Sequence, residues 1–140
     1  MLTTQLLHPE ILGVLGAAGH GSRVLIADGN YPFSTGTNPA AARVFLNLSP
    51  GVVGAPDVLA ALVSAIPVEG ATVMVPDDGP EPGIFGEFRA LLGPQPELEP
   101  LSRFEFYDAA RGSDVALVVA TAERRIYANV LLTIGVRPPG

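Results

Sequence analysis

The sequence predicts an α/β protein: one domain over residues 1–140, layered α/β/α around a mixed, mostly parallel sheet. Three observations predict it. Short apolar runs such as Arg23-Val-Leu-Ile-Ala-Asp28 and Asp114–Ala120 alternate with stretches of helical period. Gly- and Pro-rich segments separate them, as connections do. The last two apolar runs have no helix between them, so an antiparallel pair there makes the sheet mixed.

The elements follow in order. Pro9 opens a helix: proline suits the first helical position, Glu10 complements the positive end of the dipole, and Ile11, Leu12, Val14 and Leu15 form an apolar stripe. Gly19 stops it. Arg23–Asp28 is a buried strand ending in a carboxylate, and 29–38, rich in Gly, Pro, Asn, Ser and Thr, is a long loop of the kind that carries function. Arg43–Leu48 is a second strand. Pro56–Ile66 is a second helix, with Leu59, Leu62, Val63 and Ile66 on one side. Ala71–Val75 is a third strand, 76–83 a polar turn, and Ile84–Leu92 a helix followed by a Pro-rich connector through Pro100. Arg103–Arg111 is a short helix, and the strands Asp114–Ala120 and Ile126–Thr133 close the chain.

Composition narrows the chemistry. Apolar residues make up 48% and charged residues 16%, a low charge density that predicts surface hidden in subunit contacts. The net charge is -6, and all 8 basic residues are Arg. Nucleic acid is therefore not an expected partner, because phosphate binding needs a basic patch. With no Lys there is no Schiff-base chemistry, and with no Cys there are no thiolate metal sites, disulfides or cysteine nucleophiles. His8 and His20 form no metal-ligand pair, so no metal and no cofactor is expected. The N-terminus has no cation before Arg23 and no apolar run reaches bilayer length. A cytoplasmic protein with no membrane partner is the expectation.

Several motifs carry little. Gly13, Gly16, Gly19 and Gly21 lie within and after a helix, whereas a dinucleotide fingerprint follows a strand and opens a helix. Asp77, Asp78 and Glu81 lack the ligand spacing of a calcium loop and read as a solvated turn. Asn47-Leu-Ser is a glycosylation sequon that a cytoplasmic chain never presents. His8 reads as a helix-cap residue.

Four groups merit attention. His20 sits between two glycines, where the backbone is free to bend toward a ligand, although a structural loop histidine is the plainer account. Asp28 ends a buried strand before a Gly-rich loop, the usual place for ligand contacts in open α/β sheets; its plainer role is to bind the amides of 29–32. Arg103 and Tyr107 are four apart on one helical face. Tyr127 and Asn129 are two apart, hence on one face of a strand.

These pieces, in this order, resemble the D-ribose pyranase / L-fucose mutarotase family. The matching stretches are Gly19-His20-Gly21 with the strand ending at Asp28, Pro32 shortly after it, Arg103-Phe-x-Phe-Tyr107, and Glu123-Arg124-x-x-Tyr127-Ala-Asn129 before an apolar strand and Gly135-Val136. The resemblance covers essentially the whole chain. It is closer to the fucose branch around Arg103, while Ala128 matches the ribose branch and Asn30 replaces a histidine common among fucose mutarotases.

The resemblance implies an isomerase interconverting anomers or ring forms of a free, fucose- or ribose-like monosaccharide. It implies His20 as proton donor, and Asp28, Arg103, Tyr127, Ala128 and Asn129 as sugar-binding residues; Tyr107 is added from its place beside Arg103. It also implies a ring-like homo-oligomer, an octamer or a decamer. Alternatives are a non-catalytic sugar-binding or regulatory subunit on the same scaffold, and a purely structural oligomerisation module. Acid–base catalysis fits, because ring opening needs one proton delivered and one removed, and imidazole titrates near neutrality. Extended chain from His20 to Asp28 spans up to about 26 Å at roughly 3.3 Å per residue. Either the chain bends at Gly21–Ser22, or two subunits share the site; the second is the expectation.

Overall fold

A computed structural model describes residues 1–140. Six strands form one sheet in the order β2-β5-β1-β6-β3-β4. They are β1 Arg23–Ala27, β2 Ala42–Phe45, β3 Val68–Met74, β4 Leu98–Leu101, β5 Val115–Ala120 and β6 Val130–Ile134. The helices are α1 Pro9–Ala17, α2 Ala55–Val63, α3 Ile84–Leu92 and α4 Arg103–Ala110. β1 pairs parallel with β5, β5 with β2, and β3 with β4. β6 runs antiparallel to both β1 and β3. The sheet is therefore mixed as expected, but the reversed strand lies between β1 and β3 and does not pair with β5.

Alternation along the strands sorts the core into two layers. Val24, Ile26, Val119, Val130 and Leu132 face one side and pack with Ile11 of α1, Leu59 and Leu62 of α2, and Phe85 and Phe88 of α3. Leu25, Ala27, Val118 and Leu131 face the other side and meet Phe106 and Ala110 of α4. Both faces of β1 are covered, which is why it reads as an unbroken apolar run.

Local chemistry sets the helix ends. The His8 side chain accepts from Ile11 N–H at 3.3 Å, so this histidine caps α1. Ser102 and Glu105 form a reciprocal capping box on α4. Two expectations need correction. The Pro-rich connector contains β4, an edge strand in which Pro100 takes part; an edge tolerates the missing donor. The strand expected from Ile126 starts at Val130, because residues 126–129 turn and Tyr127 adopts φ 59°.

Candidate functional site

The site grows from the pairing of β1 with β6. Ile26 opposes Val130, so the same register carries Asp28, just past β1, level with Ala128, just before β6. Asp28 is buried and its carboxylate is fully engaged. Oδ1 accepts from Asn30 N–H at 2.9 Å, and Oδ2 accepts from Ala128 N–H and Asn129 Nδ2, both at 3.2 Å. Asp28 N–H in turn donates to Asn129 Oδ1 at 2.7 Å. Burial pushes the Asp28 carboxyl above its ordinary range, and these hydrogen bonds pull against that. Its first role is to fix the floor of the site.

Over this floor lies an open pocket of about 290 Å³, lined among others by Asp28, Asn30, Tyr31, Arg103, Tyr107, Tyr127 and Asn129. That volume is at the small end for ligand pockets, roughly 300–1,000 Å³, and on the scale of one monosaccharide. α4 delivers Arg103 and Tyr107 together, as their spacing predicts: Arg103 Nε donates to Tyr107 Oη at 3.2 Å. The Arg103 guanidinium also lies 5.3 Å from the Phe104 ring centre. Tyr107 leans edge-on against Tyr31, ring centres 5.4 Å apart. The pocket wall thus combines hydrogen-bonding groups with aromatic rings, which complement the hydroxyls and the apolar C–H face of a pyranose.

Five of the seven expected site residues line this pocket: Asp28, Arg103, Tyr107, Tyr127 and Asn129. Ala128 lies beneath it, fully buried, with its N–H taken by Asp28. Tyr127 and Asn129 reach the pocket from a turn and not from one face of a strand. Tyr31, Asn30, Met74 and Ile126 complete the lining, and sequence reasoning assigned none of them to it. Tyr31 is buried and its hydroxyl donates to Gly36 O at 2.7 Å, so it props the loop and Tyr107. Its position in a loop dense in Gly, Pro and Asn was the available signal.

His20 is elsewhere within the subunit. Gly21, at φ 85°, turns the chain so that its N–H donates to Ile134 O at 2.9 Å, at the far end of β6 from Asn129. The intervening strand Arg23–Ala27 spans about 13 Å at roughly 3.3 Å per residue. The bend at Gly21–Ser22 therefore does not bring His20 to Asp28. The imidazole is exposed, 58% of its side chain accessible, and Nε2 faces Glu69 Oε1 at 2.9 Å and Oε2 at 3.1 Å. Glu69 accepts an Nε2–H, which leaves Nδ1 as the free ring nitrogen. Sequence reasoning missed Glu69, which lies 49 residues away and carries no motif.

The chain is similar to known proteins along nearly its whole length. The chain is 33% identical to the fucose mutarotase of Danio rerio, with 95% of this chain and 91% of that protein covered. It is 35% identical to the D-ribose pyranase of Paracidovorax citrulli, covering 97% and 98%. Among solved structures it is similar to the Streptococcus pneumoniae fucose mutarotase in complex with L-fucose (TM-score 0.79, 26% identity, 94% of each chain). It is also similar to Bacillus subtilis RbsD complexed with D-ribose (TM-score 0.81, 25% identity, covering 99% of this chain and all of that one). Residues 1–137 match the RbsD / FucU transport protein family, and the chain belongs to it.

Proposed function

We propose that this protein is an isomerase that interconverts the anomers or ring forms of a free monosaccharide of the fucose or ribose class. The observation that carries the reading is the pocket of Asp28, Arg103, Tyr107, Tyr127 and Asn129, set in a chain related along its length to mutarotases and pyranases.

Ring opening breaks the bond between the anomeric carbon and the ring oxygen. The ring oxygen gains a proton, and the anomeric hydroxyl loses one to solvent as it becomes the aldehyde. Closure on the other face, or through another hydroxyl, reverses both transfers. His20 is the proton donor in this reading, and Glu69 is its positioning residue, holding the ring through Nε2 so that Nδ1 meets the sugar. Arg103, Tyr107, Tyr127 and Asn129 hold the hydroxyls and the apolar sugar face.

A homo-oligomer belongs to the same proposal. His20 and the pocket occupy opposite ends of the β1/β6 pair. One subunit's imidazole then serves its neighbour's pocket, a reading that the low charge content supports. A cytoplasmic setting is proposed with it; fractionation of expressing cells tests it, and recovery outside the cytoplasm refutes it. No helix is long and apolar enough to cross a membrane.

The separation within one chain also favours a second reading, a sugar-binding subunit that does not catalyse. NMR exchange spectroscopy on L-fucose and D-ribose decides. Accelerated exchange that is lost in His20→Ala supports the isomerase. Saturable binding with no acceleration supports the second reading. No binding of either sugar sinks both.

A further inference from the structure

Tyr127 enters the pocket on a segment, residues 121–129, that is neither helix nor strand. Its backbone at φ 59° is one that a side chain with a Cβ rarely adopts, so surrounding structure must impose it. Asp28 holds the segment from one side through Ala128 and Asn129. The other side is held by a cluster that the reaction does not use.

Glu123 stands at the centre of that cluster. Its buried carboxylate accepts from Ala55 N–H at the start of α2 at 3.2 Å, and from Arg125 N–H, Nε and Nη2 at 3.1, 2.9 and 3.1 Å. Arg125 uses its remaining terminal nitrogen on Glu87 of α3. Backbone bonds add to the anchor: Gly29 N–H donates to Glu123 O, and Ala122 N–H to Val53 O, both at 2.9 Å. The Glu123 carboxylate therefore ties the segment to α2, and the Arg125 fork ties it to α3, two residues before Tyr127. Arg125 and Glu87 are both about half-exposed, whereas the buried residues of α3 are Ile84, Phe85 and Phe88.

We infer that Arg125, clamped between Glu123 and Glu87, is a positioning residue for sugar recognition that fixes the Tyr127 ring in the pocket. The inference rests on the sugar-binding reading of that pocket. A planar fork with fixed donors suits the task, because it sets direction as well as distance.

The test measures dissociation constants for L-fucose and D-ribose by NMR titration, with Tm recorded for each variant. Binding, rather than turnover, keeps the readout valid for a catalytic and a non-catalytic protein alike. Arg125→Met is expected to weaken binding by about three- to tenfold, and to add almost nothing in a Tyr127→Ala background. Folded Arg125→Met that binds as tightly as the parent overturns the inference. So does a loss that multiplies fully with Tyr127→Ala, since Arg125 then acts independently of that ring. Should Arg125→Met fail to fold, Glu87→Gln, a surface change on α3, decides. A loss of about twofold that vanishes with Tyr127→Ala supports the inference, and unchanged binding overturns it. Failure of the parent protein to bind either sugar refutes the functional reading itself, and this inference with it.

Discussion

Asp28 and Asn129 exchange hydrogen bonds across the top of β1 and β6: the backbone N–H of one meets the side-chain oxygen of the other at 2.7 Å, and the amide nitrogen returns to the carboxylate at 3.2 Å. Both residues are buried. Asn129→Ala strands the Asp28 N–H and withdraws one donor from its carboxylate. The expected cost is roughly 1–3 kcal/mol of stability, measured by urea unfolding, together with loss of sugar binding. Unchanged stability refutes the coupling.

His20 and Glu69 differ in what their removal does. His20→Ala is expected to slow sugar exchange by roughly 10²–10⁴-fold and to leave the Tm of the subunit nearly unchanged, because the ring is exposed and its bond to Glu69 lies at the surface. Glu69→Ala is expected to lower kcat by a smaller factor with little change in KM, since it orients the imidazole and does not contact sugar. Exchange kinetics by NMR separate the two parameters. A raised KM in Glu69→Ala, or a kcat loss as large as that of His20→Ala, counts against the division of roles.

The site carboxylates give acid stability two opposing contributions. The hydrogen bonds from Arg125 hold Glu123 down to about 2 from an ordinary 4.5. A lowered folded value means that the unfolded chain takes up the proton first. The stabilisation from Glu123 is therefore complete above about pH 4.5 and is lost as the pH falls toward 2. Asp28 has the opposite sign. Burial raises it above 3.8, so its contribution is present below that value and is lost as pH rises through its folded value. Urea titrations of Glu123→Gln from pH 6 to about pH 2.5 are expected to show a shallower acid decline than the parent. A decline of equal steepness refutes the assignment.

Mixing two inactive chains tests the site between subunits. His20→Ala and Tyr127→Ala are each expected to lack exchange activity alone. Unfolded, mixed and refolded together, they are expected to regain part of it, because some interfaces then pair an intact imidazole with an intact pocket. No recovery in verified mixed oligomers places both groups' work within single subunits.

The sequence made the central strands legible because β1 and β5 are buried on both faces and bounded by turn residues. Arg103 with Tyr107 was legible because helical spacing is a local property, and Asp28 because it ends a buried apolar run; its pairing with Asn129, 101 residues away, was not legible. β4 was not, since Leu98-Glu-Pro-Leu101 has the proline of a connector and gains its strand character from β3 alone. Ile126–Asn129 was misread because its apolar–polar alternation imitates a strand; the bonds from Asp28, 100 residues away, override that local preference. Glu69 stayed hidden for the same reason: a lone acid acquires meaning through a fold that sets it beside His20. The reversed position of β6 is likewise a fact of topology, and no local pattern encodes it.

That topology has a consequence for biogenesis. A nascent chain that stops before Val130 holds two half-sheets, β2-β5-β1 and β3-β4, each with a bare inner edge of unpaired amides and carbonyls. The sixth strand is the keystone that seals both edges at once. Loss of those few residues leaves both edges open to pairing with other chains, so resistance to aggregation rests on the last strand to be made.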